Sequence, residues 1–248
     1  MKGSVLLPCA GFVIALAAAP NAAAMPSDLV AFLERTERMA GYPQAARADL
    51  VIRRSDGSTT RGLLVVDPKA GKLLLALQKP PWRALMPLDW GKGKALHKGR
   101  VVTWDANQPA PGTELRPMEF FPFWRGNYES AFVSDETTNE KTVMLYTAKK
   151  TPYELFVITF DKTKLTPLEI KYYEESMSNL VRLRRNSGFV MVGSRPRPAA
   201  IEIDDFAENR HCRIELKWQA EPELPEGLLD EAKFATVPLT WSESGAAP

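Results

Sequence analysis

Two rhythms of apolar residues divide the chain. The first is helical: Ser27 and Asp28 form a helix start, Leu29, Phe32, Leu33, Thr36 and Met39 or Ala40 fall on one stripe, and Gly41 ends it. Glu34, Arg35, Glu37 and Arg38 take the opposite face, so the pattern predicts one amphipathic helix over Asp28 to Ala40. From Arg47 the period becomes two. Ala48, Leu50 and Ile52 alternate with Asp49, Val51 and Arg53, a turn at Ser55 to Ser58 leads to a second strand, Arg61 to Asp67, and a turn at Asp67 to Gly71 leads to a third, Lys72 to Gln78. A helix followed by an antiparallel meander is expected, without βαβ alternation.

The middle breaks this rhythm. Pro80, Pro81, Trp82, Pro87 and Trp90 interrupt any ladder, Gly91 and Gly93 precede a short strand around Arg100 to Trp104, and Asn107 to Gly112 reads as a proline-rich loop. The aromatic segment Phe120, Phe121, Pro122, Phe123, Trp124 follows, and such density needs burial or a ligand. Alternation then returns in Thr142 to Ala148, Tyr153 to Asp161, Leu168 to Glu174, Leu180 to Arg184, Phe189 to Val192, Ala200 to Phe206 and Arg210 to Gln219, with turns short enough for antiparallel neighbours. Beyond Pro222 and Pro225 the pattern gives a short helical turn near Leu228, with Phe234 and Trp241 as anchors.

Residues before the helix change the setting. Lys2, an apolar run through Phe12 to Leu16, and Ala22, Ala23, Ala24 read as a secretory signal cleaved near Ala24, which predicts a periplasmic protein and one domain over 25–248. The run is interrupted by Pro8 and Gly11 and falls short of the ~20 apolar residues a membrane span needs. Cys9 lies within the apolar run rather than after it, so lipid attachment is not expected, and cleavage leaves Cys212 alone, without an intramolecular disulfide. With 32 basic against 30 acidic residues, a general electrostatic grip on nucleic acid is not expected either.

Chemistry-bearing patterns are sparse. His97 and His211 lie far apart, and His211 and Cys212, if in a strand, point to opposite faces, which disfavours a metal site or a thiolate–imidazole pair. GxSxG, HExxH, Walker and GxGxxG motifs are missing, so neither an enzyme nor a cofactor is expected. Arg182, Arg184 and Arg185 place at least two arginines on one strand face. That face is either solvated and edge-protecting or a docking surface for an acidic partner or membrane, which Arg195 and Arg197 extend.

The order of elements resembles the LolA-like family of periplasmic outer-membrane lipoprotein-sorting proteins over most of the mature chain. The stretches that carry it are TPYELFVITFDKTKLTPLEIKYY from Thr151, SNLVRLRRNSGFVMV from Ser178 and IDDFAENRHCRIELKW from Ile203. The resemblance implies a mainly β fold: a curved, incompletely closed antiparallel barrel, or half-barrel, around an apolar cavity, with helices at its mouth and acyl chains as ligand. One helix precedes the strands here, where the family covers its mouth with several, and no gating arginine of the family is carried over. On this reading the chain carries lipid or lipoprotein acyl chains between an inner-membrane donor and an outer-membrane acceptor, touching membrane only transiently.

Within it Leu29, Phe32 and Leu33 are either core or lid, and Trp82, Trp90, Phe120, Phe121, Phe123 and Trp124 either plug the barrel or line its mouth. If Phe32 is a lid residue, Phe32→Asp is expected to remove apolar-probe binding while the β signal persists. The alternative is an envelope interaction module on the same fold with a self-filled cavity.

Overall fold

The computed structural model describes residues 25–88, 92–120, 128–147 and 153–241. Helix α1 (Ser27–Ala40) forms where the helical rhythm predicts it. Strands β1 (Ala46–Arg54), β2 (Thr59–Asp67), β3 (Lys72–Leu77), β4 (Trp82–Pro87), β5 (Lys92–His97) and β6 (Arg100–Asp105) follow as a meander. A 3-10 turn (Pro117–Phe120) lies between them and β7 (Tyr128–Glu136), which β8 (Glu140–Thr147), β9 (Leu155–Asp161), β10 (Thr166–Tyr173) and β11 (Leu180–Ser187) follow. Two short strands, β12 (Val190–Val192) and β13 (Arg195–Arg197), make a separate ribbon before β14 (Ala200–Asp205) and β15 (Arg210–Ala220).

Thirteen strands form one antiparallel sheet in the order β6-β5-β4-β3-β2-β1-β15-β14-β11-β10-β9-β8-β7. Its halves are joined where β1 pairs with β15 from Ala46↔Ala220 to Arg54↔Cys212. The edge strands β6 and β7 do not pair with each other, so the barrel stays open. They are consecutive in sequence, and the chain between them does not run round the rim: Ala106, Ala110, Leu115, Met118 and Phe120 are buried in the main core. The described part of the linker, residues 106–120, thus packs into the concave interior.

Burial follows from this. In β1, Ala46, Ala48, Leu50 and Ile52 face inward and alternate with half-buried residues. β2 and β3 are buried on both faces, as two separate clusters explain. Leu64, Val66, Leu73 and Leu75 join the interior, whereas Leu63, Val65, Leu74 and Leu85 meet Leu228 and Phe234 of the C-terminal segment on the convex side. Arg83 fastens that segment by donating to the carbonyls of Phe234 (2.9 Å) and Val237 (2.7 Å). Phe234 and Trp241 are the anchors the pattern predicted.

Besides the short β13, three strands lay hidden in the sequence. β4 is flanked by prolines, with Pro87 at its end and Pro80 and Pro81 before its start, so its interior keeps its ladder donors. β5 is rich in lysine and glycine, and β7 is an edge strand with Ala131 as its buried residue, so neither shows alternation. Gly93 is needed for packing: a Cβ there would lie 2.6 Å from Met86 Sδ and 2.9 Å from Met86 Cα, and closer still to the Leu85 carbonyl oxygen. Gly93→Ala is therefore expected to force β4 and β5 apart and cost about 1–3 kcal/mol, read as a lower urea midpoint.

Candidate functional site

The concave interior is the candidate site. α1 lies over it and sends Leu29, Phe32 and Leu33 inward, where they are 1%, 4% and 1% exposed. Phe32 meets Phe160 edge to face, with ring centroids 5.6 Å apart, and the Lys141 ammonium sits 5.1 Å from the Phe32 ring centroid. Trp82 faces the same core, packs against Trp104 at 5.4 Å and also borders a surface cleft of about 920 Å³ with Pro80, His97 and Trp241. Phe120 is buried beneath the mouth. Trp90, Phe121, Phe123 and Trp124 lie outside the described residues.

The basic run is where the sequence expectation needs correction. Strand alternation turns Arg182 and Arg184 into the interior, where they are 1% and 6% exposed, and of the three Arg185 faces solvent. A solvated or docking face built on all three is therefore not formed. On the convex side Arg185 pairs with Asp204 (2.9 Å) and Glu169 (3.4 Å), and His211 contacts Asp204 at 2.8 Å, a surface lattice of mixed charge. Arg195 and Arg197, expected in a turn, form β13, and Arg197 is 5% exposed.

Arg182 organises the interior. It donates to Glu119 Oε1 through Nε (2.9 Å) and Nη2 (2.6 Å), to Asp205 Oδ2 through Nη1 (2.8 Å) and to the Glu114 carbonyl. The Glu119 carboxylate also accepts the Arg116 backbone N–H at 3.2 Å. Burial opposes the charge of Arg182, but Glu119, Tyr153 and Tyr172 outweigh it and hold the guanidinium above its ordinary pKa. The segment 106–120 is thereby fixed inside the sheet by ion pairs as well as by apolar contact. The sequence carried a faint sign: Glu119 sits amid Met118, Phe120 and Phe121, and Arg182 and Arg184 alternate with the apolar Val181 and Leu183.

Beside this hub Tyr172 packs against Tyr153 (4.9 Å) and Phe156 (5.3 Å), and its buried hydroxyl has no hydrogen-bond partner among the described residues. Burial, helped by Glu119, pushes its pKa up from 10.0 to about 12. The folded state thus holds this proton more tightly, so its contribution to stability is complete below the unfolded pKa of 10.0 and is lost as pH rises toward about 12. Tyr172→Phe is expected to be stabilising by about 1 kcal/mol at neutral pH and to flatten the alkaline loss, as urea titrations in both ranges would report.

Cys212, 0% exposed, and half-exposed His211 do point to opposite faces. Burial, with Glu114 and Glu119 nearby, pushes the Cys212 thiol far up. A thiol reagent is expected to leave Cys212 unmodified in the folded protein and to react fully in denaturant. Among the described residues no group of three or more His, Cys, Asp or Glu is arranged for a metal ion.

At the mouth, Tyr42, Phe120, Thr166, Ile170, Arg184, Arg197 and Trp218 enclose a cavity of about 60 Å³. Tyr42 and Trp218 rings lie 6.3 Å apart, and the Arg197 guanidinium carbon stands 4.3 Å from the centroid of the Tyr42 ring. Burial raises the Tyr42 pKa against the pull of Arg197 and Arg184.

No protein-family model and no curated protein matches the chain. Solved structures do. A domain from Vibrio parahaemolyticus described as outer membrane lipoprotein-sorting aligns with TM-score 0.67 and 11% identity, over 82% of this chain and 96% of its own. A LolA superfamily protein from Nitrosomonas europaea gives TM-score 0.64 and 13% identity, over 82% and 97%. A DUF1329 family protein from Desulfovibrio piger gives 0.67 and 12%, over 82% and 97%. The open antiparallel barrel with its N-terminal helix is thus a fold that the chain shares with these structures, the LolA superfamily protein from Nitrosomonas europaea among them.

Proposed function

We propose that this protein is a periplasmic, non-enzymatic carrier for lipid or lipid-modified protein, taking acyl chains from an inner-membrane donor toward an outer-membrane acceptor. The observation that carries the proposal is the apolar concave face of an open sheet covered by α1, an element outside the sheet's hydrogen-bond ladder. Each CH₂ kept from water is worth about 0.8 kcal/mol, so a long acyl chain needs such an escort across an aqueous compartment. The mouth cavity of about 60 Å³ is well below the roughly 300 Å³ at which small-molecule pockets begin. An acyl chain enters by displacing α1 or the segment 106–120, and release goes to an acceptor of higher affinity.

A second reading, an interaction module on the same fold, draws on the burial of segment 106–120 and its ion pairs to Arg182. Titration with a fluorescent acyl probe separates the two. Saturable one-to-one uptake, reversed by an unlabelled diacyl lipopeptide, supports the carrier, whereas no uptake supports the module.

A further inference from the structure

We propose that Arg184 and Arg197 form a binding site for the anionic headgroup, phosphate or carboxylate, of an amphiphilic ligand. The proposal rests on the carrier reading and adds to it the charge class of the ligand. Both arginines line the mouth cavity, and both are more than nine-tenths buried, at 6% and 5% exposure. Neither meets a carboxylate among the described residues. Arg184 donates to the Asn186 side-chain oxygen at 2.8 Å and to the Glu119 carbonyl. Arg197 donates to the carbonyls of Met39 (3.1 Å), Pro196 (3.3 Å) and Gly41 (2.6 Å).

Arg182, one inward position away on β11, provides the contrast, since it has two carboxylates. Glu119 is the one acid among the described residues of the cavity lining, and its carboxylate is engaged by Arg182 and the Arg116 N–H. A buried guanidinium without a counter-charge carries a desolvation penalty that no ion pair offsets. The carbonyl end of α1 offsets part of it for Arg197. Arg184 has no comparable compensation.

The cavity also holds unused hydrogen-bonding capacity. The Thr166 hydroxyl and Arg197 Nε are buried and without partners among the described residues, and Thr166 is 3% exposed. A cavity of 60 Å³ matches the share of about two waters, room for an anion and not for a chain. The adjoining walls, Phe120, Ile170 and Trp218, are apolar and lead the tail toward the interior. Because Arg197 also holds the last carbonyls of α1, an anion that takes over its N–H groups loosens the helix and couples head binding to opening of the lid.

Calorimetry on the mature chain, with dodecyl phosphate, dodecanoate, monolauroylglycerol and inorganic phosphate, each below its micellar concentration, tests this. Either anionic amphiphile is expected to bind about tenfold more tightly than the neutral one, as one charge-assisted contact requires. Preference for dodecyl phosphate or for dodecanoate then identifies the headgroup source. Arg184→Gln should remove that preference by weakening the anionic amphiphiles far more than monolauroylglycerol, and Thr166→Val should weaken it with the charge intact. Equal affinity for neutral and anionic amphiphiles overturns the anion site while the carrier reading stands. Absence of binding by any amphiphile removes the carrier reading. In that case phosphate binding that Arg184→Gln abolishes would support the anion site alone, and no phosphate binding would overturn it.

Discussion

Arg182→Met is expected to cost about 3–5 kcal/mol, a large share of a domain's stability. The methionine fills much of the volume, so the loss is electrostatic: Glu119, whose side chain is 0% exposed, is left buried without its guanidinium. Asp205 suffers less because Arg116 Nη2 remains 3.8 Å away. Arg182→Met/Glu119→Gln should therefore recover part of the loss, and a double-mutant cycle from urea midpoints would report the coupling. If the single variant unfolds near the parent midpoint, segment 106–120 is held by apolar contact and the Arg182 hub is incidental. If it does not fold, Arg182→Lys, with the charge retained and the fork removed, gives an intermediate loss that can still be measured.

The second large effect concerns the helix. Phe32→Asp loses a buried aromatic worth about 3–5 kcal/mol of packing, but the loss falls on α1 alone, since the strands keep their ladders. The sheet's circular dichroism is expected to persist while α1 amides lose hydrogen-exchange protection. The consequence for binding is the reverse of what the sequence suggested. On the carrier reading Phe32, which takes up interior space against Phe160, is expected to compete with a ligand instead of receiving it. Undocking α1 raises the population of the open form, and apparent affinity for an acyl probe should rise by about tenfold or more. Global unfolding in this variant would make α1 an integral part of the core and not a lid.

How much the sequence revealed depended on whether an element had one wet face. α1 and β1 each bury one side, so their periods of 3.6 and 2 stood out. β2 and β3 were recognised by their turns, although their second buried face, under Leu228 and Phe234, could not be foreseen because the covering residues lie far along the chain. β7 has little to bury and left no pattern. The arginines were misread for a related reason. Alternation correctly placed Arg182 and Arg184 together, but charge suggested water, and the partners that make burial tolerable, Glu119 and Asp205, come from a distant loop and from β14. Leu29, Phe32 and Leu33 needed only the local stripe, and they do face the interior.

The carrier account is tested most directly by native mass spectrometry, with lipid extraction, on the mature protein recovered from a periplasm without detergent. The account predicts a stoichiometric adduct whose extract contains an acyl chain bearing an anionic headgroup. A clean protein mass, unchanged after incubation with anionic lipids and diacyl lipopeptides, would contradict it and leave a barrel filled by its own segment 106–120.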